Sequence, residues 1–297
     1  MGRTSGPCPG GDCSRGCRCS HLHDSPVTRG RLREHGAGSD SEATTHGSVA
    51  VWGQFMRFTG KSAVITGGSE GIGFAIAAGL VEEGARVVLV ARREDKLEEA
   101  VRKLGPRASY VVGDVAKQET AGRAVEAAVS RHGGLDLLVN NAGILRPGAI
   151  GAMSLEDVDA MFSVNLRGTV VFTNEAVKVM SGRKGAAILN ISSAAGRRPL
   201  PMISIYGATK AAVQHLTQTW AIELAARGIR VNCLCPGAIE TPAFRSVADV
   251  VPGFEQAAID KSLIKRILPA EELAEPLDLV RHAGVGLGRR GQVLAQQ

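Results

Sequence analysis

Aromatic residues are scarce, at 4% of the 297-residue chain, so there is little for nucleic-acid bases to stack on. The net charge of +6 is spread along the sequence rather than gathered into a stripe. Together these leave nucleic-acid binding without its usual footprint. Long apolar runs are missing as well: none approaches the ~20 residues of a membrane span. Metal-type cysteine spacing is also absent. Cys8, Cys13, Cys17 and Cys19 crowd the N-terminus beside His21 and His23, but no C-x-x-C pair forms, and no metal site is predicted there. Cys233 and Cys235, in RVNCLCPG, read as reduced structural cysteines of a cytoplasmic protein. Residues 1–55 lack aliphatic periodicity, which predicts a disordered N-terminal extension. They hold no apolar segment of the secretory kind, and Asp12, Asp24, Glu34, Asp40 and Glu42 argue against a transit peptide. MRFTGKSAV from Met56 reads as a natural start.

What is present is a globular pattern, 44% apolar and 22% charged. From Phe58 onward short apolar runs alternate with helical periodicity. Strands are predicted at 62–66, 86–91, 109–113, 136–140, 186–192 and 229–235, with helices at 71–84, 94–104, 117–132, 154–181 and 207–227. Such alternation makes an α/β protein whose parallel sheet is covered on both faces, a doubly wound sheet in one domain over 56–297. Ligands of these sheets sit at the carboxyl ends of the strands. There the chain carries TGGSEGIG after the first strand, namely Thr66, Gly67, Gly68, Ser69, Glu70, Gly71, Ile72 and Gly73. A glycine-rich turn opening a helix presents free N–H groups and the positive end of the helix dipole, which suits a phosphate. Later strand ends carry Arg92-Arg93, Asp114-Val115, Asn141-Ala142-Gly143, Ser192-Ser193 and Pro236-Gly237. In YGATK, Tyr206 and Lys210 are one helical turn apart and share a face.

Taken together, these motifs resemble the short-chain dehydrogenase/reductase family, from about residue 57 to about 275, adding Asn165 in FSVNLRG and PGAIET at 236–241. The resemblance implies a Rossmann-like fold and hydride transfer between a nicotinamide and a carbonyl or alcohol carbon. It implies Tyr206 as acid and base, Lys210 as the charge that stabilises the phenolate and holds the ribose, Ser193 on the substrate oxygen, and Asn165 in the proton relay. For the cofactor it implies Asp114 and Val115 at the adenine, Asn141, Ala142 and Gly143 along the adenosine, and Pro236, Gly237, Ile239 and Thr241 at the nicotinamide. Arg92, standing where NAD users keep an acid, favours NADP(H) over NAD(H); Glu70 works against it by repelling a 2′-phosphate. The partner implied is a small carbonyl or alcohol substrate, and the assembly a homodimer or homotetramer. Mostly apolar pocket residues are expected at Leu145, Pro147, Ala194, Ala195, Arg197, Leu200 and Ile203, with a variable loop over 242–262. The C-terminus departs from the family: PLDLVRHAGVGLGRRGQVLAQQ (276–297) keeps only GQVLA of the expected ending. The alternative is therefore a folded but inactive binding or regulatory member.

Overall fold

The computed structural model describes residues 56–262, 264–273 and 293–295. The expected extension, 1–55, and most of the atypical segment 276–297 lie outside the described residues.

Six strands follow the predicted order: β1 (Ser62–Thr66), β2 (Arg86–Ala91), β3 (Ala108–Val112), β4 (Leu137–Asn140), β5 (Ala187–Ile191) and β6 (Arg230–Cys235). β1, β4 and β5 are buried along their whole length and read as nearly continuous apolar runs, while the edge strand β3 is only half-buried. Successive side chains point to opposite sides, so one strand feeds two cores. Ala63, Ile65, Val87, Leu89, Leu137 and Val139 pack on one side. Val64, Val88, Val90, Leu138 and Ile188 pack on the other. The first core is closed by Ile76 and Leu80 of α1 (Gly71–Glu82) and Leu97 of α2 (Glu94–Leu104). The second is closed by α3 (Gln118–His132) and by Phe172 and Met180, which lie on a later helix.

The sheet order is β3-β2-β1-β4-β5-β6, all parallel, with a seventh strand, Val293–Ala295, added beside β6. The order reverses between β1 and β4, and a crevice opens there at the carboxyl ends of the strands. Strand ends differ from prediction by a residue because the ladder outlasts the strand geometry. Gly113 N–H still donates to Ala91 at 2.9 Å, and Ser192 N–H to Leu234 at 2.8 Å.

Three departures are larger. The single helix predicted over 154–181 is α4 (Leu155–Met161), a π-helical turn (Phe162–Arg167) and α5 (Gly168–Met180). The wider turn carries Asn165, whose side chain leaves the helix surface to bond elsewhere, as described below. The helix predicted over 207–227 starts earlier, as α6 (Ser204–Glu223). The segment 242–262, expected as a loop, contains two helices, α7 (Pro242–Ala248) and α8 (Phe254–Lys261). Thr241 caps α7, its hydroxyl accepting from Phe244 N–H at 3.1 Å, and Pro242 stands at the first helical position. Just before α7, β7 (Ile239–Glu240) pairs with β8 (Leu268–Pro269), and the final strand of the large sheet is β9 (Val293–Ala295).

Candidate active site

The glycine loop is shaped by conformation at some positions and by space at others. Gly67 and Gly71 have φ of 63° and 56°, which side-chain-bearing residues avoid. Gly73 has ordinary helical geometry, but a Cβ there would run into the Gly67 carbonyl and the Asn141 amide. Glu70 precedes α1 and makes no side-chain cap. The first-turn N–H groups of α1 are therefore left to face the crevice, an arrangement suited to an anion.

Behind the loop, Thr66 acts as its anchor. Its hydroxyl accepts from the N–H groups of Asn141 at 2.9 Å and Ala142 at 3.0 Å. The Asn141 amide donates to the carbonyls of Thr66 at 2.9 Å and Gly67 at 3.0 Å. The ends of β1 and β4 are thus tied together under the crevice.

At the end of β5, Ser193 begins a 3₁₀ turn, and its hydroxyl accepts from Ala195 N–H at 3.1 Å. The same hydroxyl is near enough to the Tyr206 phenol on α6 to lower its pKa. Lys210, one turn further along α6, donates to the Ile191 carbonyl at 2.9 Å and stands 5.7 Å from the centre of the Tyr206 ring. Asn165 is buried in the π turn. Its oxygen accepts from Ile144 N–H at 2.8 Å, and its nitrogen donates to Ile144 O at 2.9 Å and to Thr209 Oγ1 at 3.0 Å. The asparagine therefore clamps the segment after β4 against α6.

Burial raises the Tyr206 phenol above its ordinary value, while the Ser193 hydrogen bond pulls it down. Burial also lowers Lys210 to about 8, with Cys233 and Cys235 pulling the other way. Those two thiols are buried and free, their sulfurs 3.8 Å apart. In the unfolded chain a lysine keeps its proton up to ~10.4. Between the two values the unfolded state binds more protons, so stability at this site rises with pH. Relative to Lys210→Met, the native chain is expected to gain stability from about pH 8 to about pH 10, read from urea midpoints. Parallel pH profiles would show that the ammonium carries no burial cost.

One cavity of about 570 Å³ joins these groups. Of the predicted residues it is lined by Gly67, Ser69, Gly71, Ile72, Arg92, Asp114, Val115, Asn141, Ala142, Gly143, Ser193, Tyr206, Lys210, Pro236, Gly237, Ile239 and Thr241. Thr66, Gly68, Gly73 and Asn165 stand outside the lining. Thr66 and Asn165 are turned inward by the bonds above. Gly68 faces the core, where a Cβ would stand 2.9 Å from Leu89 and 3.1 Å from the Ile65 carbonyl. Among the substrate-side residues Leu145, Ala194, Ala195, Leu200 and Ile203 line the cavity, whereas Pro147 and Arg197 do not. A Cβ at Gly143 would come within 3.2 Å of Lys210 Nζ, so glycine there keeps the ammonium accessible.

Three features escaped the sequence. Glu70 is paired with Arg93 at 2.7 Å, so its charge is already met. Gln214, buried on α6, donates to Ser192 Oγ at 2.9 Å and to the Ser193 carbonyl at 3.0 Å, fixing the turn that carries Ser193. Phe244, Phe254, Ala258 and Lys261 of α7 and α8 complete the wall. The regular spacing of YGATK extended to Gln214 would have pointed to the second of these; the others need the fold.

Known proteins agree with this architecture. The family model described as short chain dehydrogenase matches residues 61–251. An oxidoreductase of Sarocladium schorii is 40% identical over 186 residues, which are 63% of this chain and 75% of that protein. A glucose 1-dehydrogenase of Gluconobacter oxydans is 41% identical over 200 residues, 65% of this chain and 74% of that one. Among solved structures, a 3-ketoacyl-(acyl-carrier-protein) reductase from Brucella melitensis complexed with NADH superposes with a TM-score of 0.72 at 32% identity, covering 80% of this chain and 98% of that one. No helix among the described residues is long and apolar enough to cross a membrane. With its family model spanning well over half of the sequence, the chain belongs to the short-chain dehydrogenase family of nicotinamide-dependent oxidoreductases.

Proposed function

We propose that the protein is an NADP(H)-dependent reductase or dehydrogenase acting on a carbonyl or secondary alcohol, with Tyr206 as its acid and base. The observation that carries this reading is the continuity of one cavity from the glycine loop to the Ser193, Tyr206 and Lys210 cluster. The uncapped start of α1, with its left-handed glycines, fits a dinucleotide phosphate. The Lys210 ammonium, which lines the same cavity and which a side chain at residue 143 would crowd, fits the ribose hydroxyls. Bound there, the nicotinamide would supply or accept the hydride.

The chain's own residues do the rest. Ser193 holds the substrate oxygen and stabilises charge as it develops. Tyr206 donates its proton to that oxygen in reduction and takes it back in oxidation. Its raised affinity for the proton keeps the phenol protonated and neutral at neutral pH, the state that reduction needs. Lys210 brings positive charge under the ring and a donor to the ribose. Asn165 positions α6 through Thr209 and links Ile144 to the same helix. Asp114 turns one carboxylate oxygen to Ala116 N–H at 2.9 Å and keeps the other for the adenine amino group.

Preference for the phosphorylated cofactor rests on Arg92. Glu70, the group that would oppose a 2′-phosphate, is neutralised by Arg93, and Arg92 has no carboxylate partner among the described residues. Arginine and phosphate form paired, charge-assisted hydrogen bonds. Arg92→Ala is expected to weaken NADPH binding about tenfold to a hundredfold, with NADH nearly unaffected. Titration of nicotinamide fluorescence with each cofactor checks this; equal losses for both would remove Arg92 from the 2′-phosphate. No observation among the described residues favours the inactive reading.

A further inference from the structure

The charges around the cavity are unevenly placed. Its carboxylates among the lining residues, Glu70 and Asp114, both lie at the glycine-loop end. The other end is walled by apolar side chains, Leu145, Leu200 and Ile203 on one side and Phe244 and Phe254 on the other. Set into that wall are Arg146, Arg198 and Lys261, with no lining acid beside them. Arg146 leans on Asp157 at 3.5 Å, outside the lining. Arg198 reaches across to α8, donating to the Lys261 carbonyl at 3.4 Å. That bond ties the guanidinium to the end of α8. Neither Arg198 nor Lys261 has a carboxylate partner among the described residues.

Both side chains are exposed, so in the empty cavity water screens them; a substrate whose apolar body fills the wall would displace part of that water and strengthen their hold on an anion. An anion seated beside them gains charge-assisted hydrogen bonds. The 2′-phosphate cannot serve, because Arg92 lies at the opposite end of the cavity, past the glycine loop. What remains is the substrate itself. Building on the hydride-transfer reading, we propose that the substrate is a carbonyl compound with an apolar body and a terminal anion, a carboxylate or phosphate. Tyr206 and Ser193 take the carbonyl, the leucine, isoleucine and phenylalanine wall takes the body, and Arg198 with Lys261 takes the anion.

The test uses the full chain loaded with NADPH. Straight-chain oxo acids of increasing length, their methyl esters and the matching oxoalkyl phosphates are compared by calorimetric binding and by NADPH consumption. At one length the acid or the phosphate is expected to bind about tenfold to a hundredfold more tightly than the ester, since a hydrogen bond to a charged group contributes roughly this much. Which of the two anions wins identifies the head group. Added salt should reduce the advantage, and in the Arg198→Ala/Lys261→Ala variant the acid-to-ester ratio should fall towards one. Esters that match the acids at every length would overturn the anion site and leave hydride transfer standing. A preference that survives the double variant would also overturn it. Anion-selective binding without NADPH consumption would uphold the site and sink the hydride-transfer reading instead. Absence of both binding and turnover would overturn both.

Discussion

Tyr206→Phe is expected to lower turnover by roughly 10²–10⁴ while leaving cofactor affinity nearly intact. The substitution removes one hydroxyl and keeps the ring, so the wall of the cavity and the Lys210 ammonium beside it stay in place. The lost group is the proton donor; the hydroxyl of Ser193 remains to hold the substrate oxygen but has no acid to follow it. The direction of the Tyr206 shift adds a pH signature. Burial raises the phenol above ~10, so the proton stays on until strongly alkaline pH. Reduction, which uses the protonated form, should hold a plateau through neutral pH. Oxidation, which uses the phenolate, should climb with pH. The variant should lose both dependences. Single-turnover rates for each direction, with parallel NADPH fluorescence titrations, read the two parts separately. A large loss of cofactor affinity with turnover preserved would contradict the assigned role.

Much of this site could be read before any fold was known, for a physical reason. In a doubly wound sheet every strand points its carboxyl end at the same crevice, so sequence order becomes spatial proximity. Finding the strands was therefore enough to gather Gly67, Asp114, Asn141, Ser193 and Pro236. The strands themselves were legible because burial on both faces demands continuous apolar runs such as RVVLVA. What stayed hidden depends on contacts with no local pattern. The pairing of Glu70 with Arg93 gives the Glu70 carboxylate a partner, and it joins two loops that only the β1–β2 register brings together. The π turn around Asn165 has no propensity of its own; it forms because the asparagine is claimed by Ile144 and Thr209. The two helices of 242–262 did leave a trace, the Thr241-Pro242 start, which was outweighed by the expectation of a variable loop.

The glycines of the loop show the same division between what a sequence motif states and why it holds. As a pattern Gly67, Gly71 and Gly73 look equivalent, yet only the first two need a left-handed backbone. Gly73 is required by space alone. An alanine there keeps its helical geometry and, by propensity, should strengthen α1 by about 1 kcal/mol. Its methyl group, however, would press on the Gly67 carbonyl and the Asn141 amide, backbone and pinned side chain that have nowhere to go. Overpacking of this kind costs roughly 1–3 kcal/mol. The loop must move away from β4, and the N–H groups at the start of α1 move with it. Gly73→Ala is therefore expected to lower stability by about 0–2 kcal/mol and to weaken nicotinamide binding about a hundredfold, since a shift of ~1 Å is enough to spoil such a cradle. Gly122→Ala makes the matched control. Gly122 lies within α3, and a Cβ there meets nothing within 4 Å. That variant should gain about 0.5–1 kcal/mol and bind the cofactor as the native chain does. Urea unfolding and NADPH titration of the pair separate the two contributions. If Gly73→Ala instead behaved like Gly122→Ala, the loop would be soft enough to yield, and the closeness of α1 to the end of β1 would not be what holds the phosphate site in shape.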